Sequence, residues 1–302
     1  MATITPDQYQ TIHDLLVKVA LAAGDMVTTA KPQNITAKNN SADLVTATDK
    51  AVEDYVIGQL KSQYPTFEFL GEETYKPGMQ LTSAPTFICD PIDGTTNFIH
   101  GFPYMCISLA LTVDKLPVVG VVYNPYTTNL YTAIKGQGSF VETRAGHFAG
   151  QKIQLPRGGA LPLKALNGSL CAVEWGSDRS GVNFDIKSAL YTKLAASTEQ
   201  GGKMVHSLRS LGSAALNLCG VASGEMDLYW EGGCWAWDVA AGWLILEEAG
   251  GKMYSGNAGE EVAVDCRRYL AIRGAGEGSQ VTQEELRNEF WGCLTGPMNY
   301  SS

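Results

Sequence analysis

The chain has 302 residues, room for one or two α/β domains, and 45% of them are hydrophobic against 18% charged, which supports a sizeable core and excludes a disordered chain. A formal net charge of -9 without a basic run argues against nucleic acid or an anionic membrane as partner. Cys89, Cys106, Cys171, Cys219, Cys234, Cys266 and Cys293 form no Cys-x-x-Cys pair, so free thiols are expected and zinc is not; without a leader-like start or an apolar membrane-length window, the expected compartment is the cytoplasm.

Thr5-Pro6-Asp7-Gln8 is a helix start, with a Thr cap, Pro at the first helical position and Gln three residues after the cap. Ile12, Leu15, Leu16, Val19, Ala20 and Ala23 then recur at helical spacing to about Thr29, with His13 expected at the surface. Residues 31–40 are loop-like, Lys38 being a solvated charge, and 43–49 form a short strand. Thr48 or Asp49 is expected to cap the next helix, whose apolar face is Val52, Tyr55, Val56 and Leu60. Residues 67–71 are a strand ending at Glu72-Glu73. On their own, two such acids are ordinary solvated charges.

Phe87-Ile88-Cys89 is a buried strand, and Pro91, which cannot continue a central strand, predicts a stop at Asp90. Asp93, Thr95 and Thr96 are candidate helix caps. Gly94 lets backbone N–H groups approach a ligand, so the turn suits an anion. Asp90 and Asp93, with the Ile92 carbonyl between them, are hard oxygen donors of the kind Mg²⁺ takes. The plain structural account makes Asp90 a strand end and Asp93 a cap.

Residues 105–113, 117–124 and 129–134 predict an antiparallel meander, followed by a short strand at 140–143. The Gly- and Pro-rich stretch 144–164, including His147, carries no chemistry. A strand at 168–173, a helix at 185–196, a small-residue helix ending at Gly224 and a strand at 226–230 with Glu231 at its end come next. Trp235-Ala236-Trp237-Asp238-Val239-Ala240-Ala241-Gly242 then opens a helix that Asp238 is expected to cap and Gly250 to close. Strands at 252–254 and 269–272 and a helix at 282–290 complete the pattern, and the tail from Gly292 is expected to be poorly ordered.

Asp90-Pro91-Ile92-Asp93-Gly94-Thr95-Thr96-Asn97-Phe98 and the distant Trp237-Asp238-Val239-Ala240-Ala241-Gly242 resemble the two signatures of the inositol monophosphatase family, and Gly71-Glu72-Glu73 matches the segment that precedes the first. Haloacid-dehalogenase-type phosphatases need Asp-x-Asp, which this spacing does not supply. The resemblance spans nearly the whole chain. It implies a layered α/β fold, an αβαβα sandwich forming one catalytic domain, with an N-terminal half of about 1–145 and a C-terminal half of about 165–291.

It also implies two or three Mg²⁺ ions, or Mn²⁺: one on Glu72, Asp90 and the Ile92 carbonyl, one on Asp90, Asp93 and Asp238, and a weaker one on Glu72. The activity implied is hydrolysis of a small polyol phosphate monoester, inositol 1-phosphate first, by direct attack of a metal-activated water. Thr95, oriented by Asp49, would position that water beside Glu72, and Gly94 and Thr95 N–H groups would hold the phosphate. Gly212, Ser213 and Ala214 would border the substrate, and Glu231 would accept from a ring hydroxyl. Trp235 stands where many relatives carry a polar residue and is either a pocket wall or core. A homodimer and lithium sensitivity are part of the same resemblance. The alternatives are a same-fold phosphatase acting on histidinol phosphate, a sugar bisphosphate or an adenosine bisphosphate, and a non-catalytic regulator that keeps the fold.

Overall fold

The computed structural model describes residues 4–31, 36–37, 44–146 and 149–300. Lys38, Asp43 and His147 lie outside them. Helix α1 spans Pro6–Thr29 and starts as its sequence dictates, the Thr5 N–H donating to Gln8 Oε1 at 3.0 Å. Its stripe from Ile12 to Val27 is buried. A two-residue pair, β1 (Thr36–Ala37) and β2 (Leu44–Val45), precedes α2 (Ala47–Gln63). The cap of α2 is Thr46. Asp49 stands three residues inside, and its Oδ2 accepts from the Thr46 N–H at 2.9 Å, so it closes the turn from within.

The larger sheet has seven strands in sequence order: β3 (Glu68–Gly71), β4 (Thr86–Asp93), β5 (Cys106–Val113), β6 (Leu116–Asn124), β7 (Asn129–Ile134), β8 (Ser139–Thr143) and β9 (Gln151–Gln154). Strands β3 and β4 pair in parallel, and the described strands from β4 to β9 pair antiparallel. Helix α3 (Thr95–His100) interrupts it after β4. Strand β9 carries this sheet past residue 145, beyond the expected boundary. Its Gln-Lys-Ile-Gln sequence is an exposed polar edge with almost no apolar alternation to announce it.

The smaller sheet has the order β11 (Ser207–Arg209), β10 (Leu170–Val173), β12 (Leu228–Gly232), β14 (Arg268–Ile272), β13 (Lys252–Ser255). Helices α4 (Gly181–Ala195), α5 (Ala214–Ser223), α6 (Ala236–Glu248) and α7 (Gln283–Trp291) complete the chain.

Period-two alternation explains the layering. Phe87 and Cys89 face α1 and α2, whereas Ile88 between them packs with α5 and α6. Helices α5 and α6 fill the space between the sheets, against Ala110 and Val122 on one side and Ala172, Tyr229 and Ala271 on the other. Helices α4 and α7 close the outer face of the smaller sheet with Leu190, Leu194, Leu286 and Phe290. The result is an αβαβα sandwich, as expected. Helix α6 is apolar nearly all round because both of its sides are buried. It seats against β6 at Gly120, where a Cβ would stand 2.7 Å from the Ala241 carbonyl oxygen.

The tail is not loose: Met298 is buried, and its N–H and C=O bond the Asn257 side chain at 2.8 and 2.9 Å. The docking partner lies far away in sequence, which is why no local pattern announced it. No described helix is long and apolar enough to cross a membrane.

Candidate active site

Strand β4 carries two of the acids. Its pairing with β3 ends at Gly71↔Cys89, and its pairing with β5 jumps from Asp90↔Ser108 to Asp93↔Cys106. Pro91 thus lies in a bulge where a missing N–H costs no ladder bond, and the strand runs on to Asp93 instead of stopping at Asp90. Asp90 Oδ1 accepts from the Ile92 N–H at 2.9 Å and tightens the turn. Asp238 joins from the first turn of α6. The three residues offer carboxylate oxygens within 4.8 Å of one another.

Asp93 and Asp238 are each held by a helix start. Asp93 Oδ2 accepts from Ser213 Oγ at 2.6 Å and the Ala215 N–H at 2.7 Å, and Oδ1 from the Ala214 N–H at 3.3 Å. Ser213 caps α5, so Asp93 sits at the positive end of that helix. Asp238 Oδ2 accepts from the Trp235 N–H at 2.6 Å. Trp235, not Asp238, is the N-cap of α6; an indole offers no acceptor, and the carboxylate three residues on reaches back instead. Gly94, at φ +98°, is the N-cap of α3 in place of the expected Asp or Thr. A Cβ there would stand 3.0 Å from the Tyr104 carbonyl oxygen and 3.1 Å from that of Gly212.

Thr95 Oγ1 lies 3.1 Å from both Asp49 Oδ1 and the Ile92 carbonyl oxygen. The expected Thr95–Asp49 pair therefore forms across the α2–α3 junction. Glu72 follows β3, its N–H donating to the Cys89 carbonyl at 3.2 Å. It lines the same cleft but is not among the three converging carboxylates. Glu53, buried on α2, accepts from the Glu73 N–H at 2.9 Å and anchors the turn after Glu72.

Burial, then the charge of Glu72, then those of Asp93 and Asp238 push the Asp90 carboxyl well above the ordinary range. Asp238 is raised well above it too, by burial first and by Asp93 and Glu72 next. Burial lifts Asp93 to about 6, and its bonds from Ser213, Ala215 and Ala214 hold it from rising further. Two buried carboxylates and a partly buried third at this spacing lack positive charge, which a divalent cation would supply. All three are hard oxygen donors, so the donor set fits Mg²⁺ or Mn²⁺.

Glu72, Asp93 and Asp238 line a cleft of about 750 Å³ together with Gly94, Thr95, Glu174, Glu231, Arg267 and Tyr300. Gly212, Ser213 and Ala214 line it as well, but the Gly212 N–H donates to Glu174 Oε1 at 3.0 Å, and Ser213 and Ala214 serve Asp93. Glu174 was not foreseen. It is buried after β10 and also accepts from the Leu211 N–H at 2.6 Å, Asn217 Nδ2 at 2.8 Å and Ser210 Oγ at 2.8 Å. Like Glu72 it follows an apolar strand, but Glu72 was singled out by the family resemblance, and the strand-end acid alone gave no such signal for Glu174.

Glu231, at the end of β12, accepts from Tyr229 Oη and is raised to about 7, by burial first and by the charge of Glu174 next, while Lys187 holds it lower. Trp235 stacks on Trp237 at 5.2 Å and meets Tyr75 at 4.9 Å. The Arg267 guanidinium covers its ring at 3.7 Å, so Arg267 lines the cleft where the sequence suggested the indole.

Comparison with known proteins places these features. A family model described as "Inositol monophosphatase family" matches residues 8–295. The chain is similar to inositol monophosphatase 2 of Saccharomyces cerevisiae, 50% identical over 268 residues, covering 87% of this chain and 86% of the relative. It is 39% identical over 284 residues to quinic acid degradation cluster protein x of Neurospora crassa, covering 86% and 82%. The solved structure of an inositol monophosphatase from Anabaena (Nostoc) sp. PCC 7120 aligns with a TM-score of 0.70 at 32% identity, covering 88% of this chain and 92% of that one.

Proposed function

The chain belongs to the inositol monophosphatase family, and from that premise we propose that it hydrolyses a small polyol phosphate monoester, inositol 1-phosphate first among them. Both sheets serve one catalytic unit, since β4 supplies Asp90 and Asp93 while β12 and α6 supply Glu231 and Asp238. The observation that carries the reading is the convergence of the Asp90, Asp93 and Asp238 carboxylates near the Thr95–Asp49 pair, with Asp93, Asp238 and Thr95 lining one cleft.

Asp90, Asp93 and Asp238, with Glu72 and the Ile92 carbonyl, would hold two or three Mg²⁺ ions, which when bound acidify water and offset the charge of the phosphate and of the departing alkoxide. Thr95 Oγ1 accepts from the attacking water as its own proton moves toward Asp49 Oδ1. Burial leaves Asp49 a stronger base than an exposed carboxylate. The water oxygen bonds phosphorus, the ester P–O bond breaks, and the departing alkoxide takes a proton from solvent water while Asp49 returns its proton to solvent. Glu72 borders the same water, and Gly94 and Thr95 direct backbone N–H groups to the phosphate. Glu231 accepts from ring hydroxyls.

A second reading, a same-fold phosphatase for a substrate with a second anionic group such as a sugar bisphosphate, draws on Arg179 and Arg267 in the cleft lining. Asp178, Glu174 and Glu231 line the same cleft and offset that charge, which keeps the neutral polyol first. Phosphate release from inositol 1-phosphate, fructose 1,6-bisphosphate, histidinol phosphate and adenosine 3′,5′-bisphosphate, with Mg²⁺ and then with EDTA, separates the readings. EDTA-sensitive release selective for inositol 1-phosphate supports the first. Preference for a bisphosphate moves the substrate and keeps the chemistry, and no release from any sinks both. A lithium titration and a mass measurement in solution test the expected inhibition and the homodimer.

A further inference from the structure

The last described residues, Asn299 and Tyr300, form part of the cleft wall. Two asparagines clip this segment: Asn257 takes both backbone groups of Met298, and Asn183 does the same to Asn299, accepting from its N–H at 2.8 Å and donating to its C=O at 3.0 Å. The clips set Tyr300 over the Gly232-Gly233 turn that follows Glu231. A Cβ at Gly232 would stand 2.5 Å from Met298 Sδ and 2.8 Å from Tyr300 Cε2, and one at Gly233 would stand 3.2 Å from Tyr300 Cε1. Two successive residues of the turn thus lack side chains where the ring lies.

Lys187 fixes the ring from beneath. Its side chain is fully buried, and its three N–H bonds go to the Trp175 carbonyl at 2.9 Å, the Gly232 carbonyl at 2.9 Å and Tyr300 Oη at 3.1 Å. The Asp178 carboxylate neighbours the same phenol. A buried ammonium needs all its donors satisfied, and the tail supplies the third acceptor. The other flank is Arg267, whose guanidinium lies 5.6 Å from the Tyr300 ring centre.

We propose that Tyr300 is a specificity-determining wall of the cleft, set beside Glu231 so that a six-membered polyol ring is gripped between the carboxylate and the aromatic ring. This rests on the polyol-phosphate reading above. A ring long enough to reach from the phosphate to Glu231 meets Tyr300, whereas a three-carbon glycerol phosphate does not. Loss of the aromatic ring therefore penalises the cyclitol selectively and through KM more than through kcat, since Tyr300 would touch the polyol and not the reacting phosphate.

The test is the ratio of kcat/KM for inositol 1-phosphate to that for glycerol 2-phosphate, with Mg²⁺, in the full chain. Tyr300→Ala is expected to lower the ratio about tenfold, on the scale of a lost apolar contact in a specificity pocket, with the loss falling on KM. Tyr300→Phe, which keeps the ring and leaves one Lys187 N–H without its acceptor, is expected to hold the ratio within about threefold while melting lower. Tyr300→Leu gives the same reading as Ala should the smaller residue fail to fold. A ratio unchanged in Tyr300→Ala or Tyr300→Leu overturns the assignment. So do equal losses on both substrates with a lowered melting temperature, which would make the segment a staple of the fold. A wild-type protein that releases phosphate from neither substrate overturns the phosphatase reading, and this assignment with it.

Discussion

Asp93→Asn separates the electrostatics of the site from its architecture. In protein stripped of divalent cations, Asp93 is lifted from 3.8 to about 6 by burial. That gap is worth about 3 kcal/mol against the ionised form at neutral pH. Because the folded-state value is the higher one, this stability is present in full below pH 3.8 and is lost as pH rises through about 6. Removing the charge recovers up to that amount at pH 7. Against it, an amide cannot accept with both ends, so one of the donors at Ser213, Ala214 or Ala215 loses its partner, at a cost of about 1–3 kcal/mol. The variant should melt in EDTA at the wild-type temperature or a few degrees higher. Saturating Mg²⁺, at about a hundred times its dissociation constant, should stabilise the wild type by about 2.7 kcal/mol and the variant far less. Phosphate release should fall at least about 100-fold. Differential scanning calorimetry with and without Mg²⁺, beside the release assay, reads all three. Equal stabilisation of both proteins by Mg²⁺, or activity within tenfold of wild type, would refute the reasoning.

Thr95→Ala removes the hydroxyl that bonds Asp49; kcat should fall about 10²–10⁴-fold with KM nearly constant in steady-state kinetics. Glu231 is raised to about 7, so its ionised, hydroxyl-accepting form is lost as pH falls through that value. The kcat/KM profile for inositol 1-phosphate should drop on that limb, and Glu231→Gln should flatten it. Gly120→Ala drives a Cβ to 2.7 Å from the Ala241 carbonyl and should cost about 2–3 kcal/mol, read as a lower urea midpoint at unchanged slope. An unchanged midpoint would mean that α6 and β6 can separate without loss.

What could be read from the chain was local. Thr5-Pro6 and the stripe from Ile12 announce α1 because a cap and a period are properties of neighbouring residues. The two signature turns are equally local, and they located Asp90, Asp93 and Asp238. The errors arose where a distant element changed the rule. Pro91 ends a strand only where its N–H would be needed, and neither β3 nor β5 asks for it at the bulge. Asp238 was expected at the cap, yet Trp235 occupies that place and the acid acts from inside the helix. Glu174 and Tyr300 were invisible for a stronger reason: their partners lie 36 to 43 and 113 residues away, beyond any period or cap.

The middle helical layer explains how so much negative charge is tolerated in the fold. Sandwiching α5 and α6 between two sheets brings both of their N-termini to the edge where β4 ends. The first turn of α5 donates to Asp93, and the first turn of α6 contains Asp238. Unsatisfied N–H groups and the positive dipole ends offset part of the carboxylate charge before any cation arrives. The offset is incomplete, since Asp90 and Asp238 remain well above the ordinary carboxylate range. Such a site keeps a residual negative charge that a divalent cation would offset. Its affinity is set by the residual charge that the helix ends leave uncompensated, which couples substitutions at Ser213 or in the first turn of α5 to cation binding without any direct ligation.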